Sequence, residues 1–145
     1  MVAKTSESHP LRIDHVGMKG LKGRIGLTFC PGKKQANALT GTWDRNLDLD
    51  LDRIRDFGAK ALVTLMEDSE FKKVMVPGKE FEAKSASRGI EWHNLPIRDV
   101  HVPDDSFETL WTYTGARLRR RKRPKLTVLT SEGEDRCPLI GFVDT

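Results

Sequence analysis

Apolar residues occur along this chain in short bursts separated by long polar stretches. "RIGLTFCPG" at 24–32 is one burst, stopped by Pro31 and Gly32, and it reads as a strand. "ALVTLM" at 61–66, "IEWHNLPI" at 90–97 and "KLTVLT" at 125–130 read as three more. The segment "NLDLDLDRIRDFG" at 46–58 carries two periods at once. The Leu-Asp alternation of 47–52 is that of a half-buried strand, yet Leu47, Leu51, Ile54 and Gly58 fall at helical spacing. Asp is poor in strands, and the helical pattern outlasts the alternation. With Asn46 as N-cap and Gly58 as the stop, the spacing predicts a helix. It would bury Leu47, Leu51 and Ile54 and leave Leu49 off the stripe.

Two further helices follow. "GKEFEAKSASRG" at 78–89 is polar and bounded by glycines, which suits a surface helix. "DSFETLWTYTGARLRRRKR" at 105–123 is the longest, with Asp105 and Glu108 as a capping-box-like start and Pro124 as the stop. Its buried stripe is predicted as Phe107, Leu110, Trp111, Thr114 and Leu118. "KKQANALTGTW" and "RDVHVPDD" at 98–105 are predicted loops, and residues 1–23 an extended, loosely held arm.

Strands alternating with helices predict an α/β fold: an open, mainly parallel sheet with helices on both faces. Ligands of such sheets bind outside the carboxyl ends of the strands. Those ends are expected at Cys30–Gly32, Met66–Ser69, Ile97–Asp99 and Thr130–Gly133.

Composition narrows the function classes. A chain of 145 residues suits one domain with a core, and 37% hydrophobic with 32% charged residues suits a soluble protein. No apolar run approaches the ~20 residues that cross a bilayer, and "MVAKTSESHPLRIDH" lacks the apolar core of a signal peptide. A cytoplasmic location and no membrane partner are the expectations. Cys30 and Cys137 form no CxxC and read as free thiols. His93 and His101 have no third ligand at metal spacing, so no metal and no cofactor are expected. Much of the net charge of +4 comes from "RLRRRKRPK" at 117–125. These cations suit the negative end of a helix macrodipole. No aromatic interleaving makes them a single-strand platform, so the helix-end reading is preferred to a nucleic-acid footprint.

"LPIRDVHVPDD", with a strand end, an acid at Asp99 and a Pro-Asp helix start, resembles the general-acid loop of cysteine-dependent dual-specificity and protein-tyrosine phosphatases, in the kinase-associated-phosphatase branch and its bacterial relatives. "IGLTFCPGKK", "WDRNLDLDLDRIRDFGAKALVTLMED" and "GIEWHNLPIRDVHVPD" are similar to that family in order and spacing, over roughly residues 24–121. The resemblance implies hydrolysis of a phosphoprotein or other phosphomonoester without a metal. It implies a loop H-C-x-x-G-x-x-R after the next strand, where the thiolate attacks phosphorus and the arginine and backbone N–H groups hold the oxygens. It assigns Asp99 as the acid that protonates the leaving oxygen. Asp104 and Asp105 read as helix caps.

The chain departs from the pattern at that loop, "TVLTSEGEDRCP" at 127–138. Continuing the alignment residue for residue puts the family's cysteine at about Glu132 and its arginine at Pro138. A shift of two residues gives Thr130, Gly133 and Arg136 the spacing of nucleophile, glycine and arginine. Neither register holds a cysteine. Glu132, Glu134 and Asp135 would repel a phosphate dianion by about 1 kcal/mol per close pair even in water. Arg136 is the candidate phosphate-binding residue, set against an exposed pairing with Glu134 or Asp135. Nine residues follow Arg136, with no helix to point at the anion. The expectation is a C-terminal part that is incomplete, truncated or frame-altered from near Lys122. The sequence therefore divides into an arm (1–23), a phosphatase-like α/β domain (24–130) and a divergent tail (131–145). The function expected is that of a phosphatase-like domain inactive as written. The alternative is a noncatalytic binding module for a phosphoprotein or, through the basic helix end, nucleic acid. The Trp43-Asp44-Arg45 cluster is expected in a loop near the mouth of the site.

Overall fold

The computed structural model describes residues 2–17, 24–38, 41–96, 105–119 and 126–131. Strands β1 (Asp14–Gly17), β2 (Arg24–Phe29), β3 (Lys34–Ala38) and β4 (Gly41–Asp44) precede helix α1 (Leu47–Phe57) and strand β5 (Ala59–Thr64). Then come α2 (Asp68–Lys73), α3 (Gly78–Ser87), β6 (Glu91–Asn94), α4 (Asp105–Arg119) and β7 (Leu126–Ser131). The main sheet has five strands in the order β1-β2-β7-β5-β6. β2, β7, β5 and β6 run parallel, and β1 lies antiparallel against β2. The mainly parallel sheet expected from the pattern is present, with β7, the last strand in sequence, between β2 and β5.

α1 forms for the reasons its sequence states. Asn46 Oδ1 accepts the Leu49 N–H at 3.0 Å, and Gly58 closes the helix at φ 98°, a left-handed cap that glycine adopts without strain. Leu51 and Ile54 are buried, Leu47 packs on the core, and Leu49 is 42% exposed. β5 starts directly after the cap, and successive side chains of a strand face opposite ways. Leu62 accordingly belongs to a large core cluster with Leu51, Ile54, Phe71, Phe81 and Ile90, whereas Val63 joins a smaller one with Leu65 and Leu95. Trp111 of α4 packs against the smaller cluster. Phe81 meets Trp92 at a tilt, with 5.2 Å between ring centroids, an arrangement that adds to the area burial of both rings.

Several expectations are corrected. The polar stretch 33–43 is not a loop: β3 and β4 pair as an antiparallel hairpin, and Trp43 is buried. Residues 2–17 are not loosely held. Leu11 is buried, β1 extends the sheet, and Lys4 pairs in parallel with Trp43. α2 arises where only a strand end was expected. α3 is a surface helix as expected, exposing Lys79, Glu80 and Glu82 while burying Phe81 and Ser85. On α4, Thr114 is buried and Trp111 half-buried, but Leu110 is 44% exposed and leaves the predicted stripe.

Candidate functional site

The parallel strands bring their carboxyl ends to one edge, and a polar row crosses the sheet just before it. Thr28 of β2 stands in register with Thr130 of β7, Thr130 with Thr64 of β5, and Thr64 with Asn94 of β6. Thr64 is buried. Its hydroxyl donates to Asn94 Oδ1 at 2.8 Å and accepts the Trp92 indole N–H at 3.0 Å. Among the described residues, the Thr28 hydroxyl is buried with no hydrogen-bond partner. A buried hydroxyl left unpaired is costly.

The turn after β2 is fixed from below by one carboxylate. Asp50 of α1 accepts the Gly32 backbone N–H at 2.9 Å and both forks of Arg45, Nε at 2.9 Å and Nη2 at 2.9 Å. The Ser6 hydroxyl donates to it at 2.8 Å. Arg45 is fully buried, and its guanidinium carbon lies 5.0 Å from the Phe29 ring centre. The desolvation of such a pair is repaid only when the remaining lone pairs and protons are satisfied. Every carboxylate oxygen of Asp50 has two donors, so that condition holds on the acid's side, while among the described residues Arg45 Nη1 has no acceptor. Gly32 sits at φ 74°, and a Cβ there would stand 2.9 Å from Leu47 Cβ, so glycine is required twice over. Cys30 is buried beside this turn, with its Sγ 3.5 Å from the Pro31 carbonyl.

A pocket of about 200 Å³ opens between the N-termini of α1 and α3, lined among others by Gly32, Lys34, Leu47, Asp48, Glu80 and Lys84. Its cations are already matched by acids. Lys34 reaches Asp44 at 2.6 Å, and Lys84 reaches Asp48 at 2.7 Å and Glu80 at 3.0 Å. The hydrogen bond from Lys84, joined by one from Arg88, holds the Asp48 carboxyl below its usual range. The same contact with Asp48, and then Glu80, raises the Lys84 ammonium. The pocket therefore offers no surplus cation to an anionic ligand.

Asp99 and Arg136 both lie outside the described residues, as do His101, Cys137 and the whole of 132–138. Thr130 is at the carboxyl end of β7, in the centre of the polar row. Trp43 ends on a strand and not in a loop, and Arg45 is a buried partner of Asp50. His93 contacts Glu91 at 3.1 Å. Among the described residues no group of three or more His, Cys, Asp and Glu side chains could hold a metal ion. No helix among them is long and apolar enough to cross a membrane.

The sequence reading missed Asp50 as an organising residue. The signal was present: Asp50 is three residues after Leu47 and four before Ile54, on the apolar stripe.

The architecture is similar to solved phosphatase structures. A crystal structure of kinase associated phosphatase, with serine in place of its catalytic-site cysteine, superposes with a TM-score of 0.68 at 22% identity, covering 86% of this chain and 66% of that one. A mutant form of Tk-PTP gives a TM-score of 0.48 at 19% identity, covering 82% of this chain and 61% of that one. The chain thus spans slightly less than two thirds of the first structure's length. No protein-family model matches, and no curated protein matches. The fold is similar to that of kinase associated phosphatase, and at 22% identity the likeness is one of fold.

Proposed function

We propose that this chain is a phosphatase-like domain that has lost phosphomonoester hydrolysis. One observation carries the reading. β7 is flanked by parallel β2 and β5, and the sequence leaving its carboxyl end at Ser131 reads Glu132-Gly133-Glu134-Asp135-Arg136. That is where a phosphatase of this fold carries its thiolate. A thiolate is needed because it is nucleophilic at neutral pH, with its pKa lowered by a helix N-terminus and nearby cations. In the register that best matches the spacing, threonine (Thr130) stands in its place, and a threonine hydroxyl does not ionise near pH 7. In this reading α4, through Trp111, covers the sheet face opposite α1 and α3.

Asp99 is then the position of the former general acid and Arg136 that of the phosphoryl-holding arginine. What survives is binding, with a phosphoprotein or another phosphomonoester as the ligand class. Glu132, Glu134 and Asp135 weaken it at the loop, because each opposes a dianion. The test is incubation with p-nitrophenyl phosphate. No turnover is expected, and clear turnover abolished by vanadate defeats the reading. Retention of a phosphopeptide, but not its dephosphorylated form, supports residual binding. Retention of DNA that is lost at moderate salt would favour the basic end of α4 instead.

A further inference from the structure

The hairpin β3–β4 has a second edge, and the chain's own N-terminal segment fills it. The Lys4 N–H donates to the Thr42 carbonyl at 2.8 Å, and the Asp44 N–H donates to the Lys4 carbonyl at 3.0 Å. This is the bonding of one added parallel strand residue. The Lys4 ammonium lies 4.8 Å from the Trp43 ring centre, a cation–π contact. Two residues on, the Ser6 hydroxyl donates to Asp50 Oδ1 at 2.8 Å and accepts the Asn46 N–H at 2.8 Å. Backbone pairing plus alternate side-chain pockets is how sheet edges take extended peptides. Here the two pockets select a cation over Trp43 and a hydroxyl at the Asp50–Asn46 corner.

The Ser6 hydroxyl also lies 3.3 Å from the Asn46 carbonyl, and Thr5 and Ser8 hydrogen-bond to each other within the segment. Val2 is 94% exposed, and residues 7–10 are exposed on the other side. Segments with few buried contacts open without global unfolding. We propose that the outer edge of β4 is a docking slot for an extended segment of the form basic–x–hydroxyl, and that residues 3–6 of this chain occupy it in cis as a removable strap. Ser6 is the latch: its hydroxyl meets a buried carboxylate whose cation is already engaged through both Nε and Nη2. A negative charge at position 6 therefore opens the strap. The inference is independent of the phosphatase-like reading.

The test uses the full chain with Ser6→Asp and a fluorescent peptide spanning residues 2–11. The peptide is expected to bind the variant about tenfold or more tightly than the wild type, whose slot is filled at high effective concentration. A peptide carrying Ser6→Ala should lose that affinity. In hydrogen exchange, the Asp44 amide of the variant should exchange about tenfold faster while Leu62 and Val63 of β5 stay protected, as expected for local opening. Equal peptide affinity, an unchanged Asp44 amide, or parallel acceleration in β5 overturns the proposal. If Ser6→Asp does not fold, Ser6→Ala in the full chain removes the latch without adding charge and must show the same pattern more weakly. A concentration-dependent dimer with exchanged straps overturns occupancy in cis.

Discussion

Asp50 does more than any other described side chain to shape the carboxyl edge of the sheet. It ties the turn after β2, the end of β4, α1 and the N-terminal segment to one carboxylate. Removing it leaves the Arg45 guanidinium buried and uncompensated. Asp50→Ala should cost about 3–5 kcal/mol, read as a lower urea midpoint at unchanged m-value. Gly32→Ala should cost about 2 kcal/mol or more, from the left-handed backbone and the contact with Leu47; its thermal midpoint measures this. Four acids in the run 44–52 look alike in sequence, and burial of one depends on Arg45 folding back beside it. Position on the apolar stripe was the only local sign, and it competes with the habit of reading every Asp as solvated.

At the level of elements, what was legible was local chemistry. The Asn46 cap and the Gly58 stop fixed α1, and short apolar bursts fixed β2, β5, β6 and β7. What was illegible needed tertiary partners. β3 and β4 are polar strands whose pairing is with each other and with the N-terminal segment. The Thr40-Gly41 pair in the sequence was the available hint. α2 is a six-residue helix begun by Glu67, whose N–H is taken by Glu70 Oε2 at 2.8 Å. That spacing was readable, but so short a helix rests on burying Phe71. On α4, helical periodicity put Leu110 inside, whereas only Trp111 and Thr114 of the described side chains turn inward.

The seam between α1 and α3 makes an electrostatic prediction. Arg88 and Lys84 of the α3 end bridge Asp48 and Asp52 of α1. Asp48 has a folded pKa below 3.8, so its contribution is present above that value and is lost as pH falls through the folded pKa. Lys84 has a folded pKa above 10.5, so its contribution is present below that value and is lost as pH rises through the folded pKa. The seam should therefore hold across the neutral range and weaken only at the acid and alkaline extremes. Asp48 is about half exposed, so Lys84→Met should cost only about 0.5 kcal/mol. Urea unfolding of wild type and variant at neutral pH and below pH 3 should show a difference that shrinks in acid. A difference unchanged by acid would remove the ion pair as its cause.

At the scale of the whole molecule, a sheet similar to that of kinase associated phosphatase is assembled around a central strand, β7, after which the sequence turns acidic at Glu132, Glu134 and Asp135. Phe81, fully buried against Phe71 and Trp92, should cost about 3–5 kcal/mol as Phe81→Ala without altering any phosphate chemistry. The general outline of the sheet was readable because apolar bursts alternate with amphipathic segments. The order of its strands was not, since the placement of β7 between β2 and β5 is a long-range choice no local pattern encodes. Under the proposed reading, any surviving phosphatase turnover would pass through a phosphoryl group bonded to a protein side chain. The decisive measurement is rapid quench of the intact chain with excess p-nitrophenyl phosphate, followed by mass spectrometry. The account predicts only the unmodified mass at every quench time. A phosphoryl increment that forms and decays with substrate, on any residue of the chain, would contradict it.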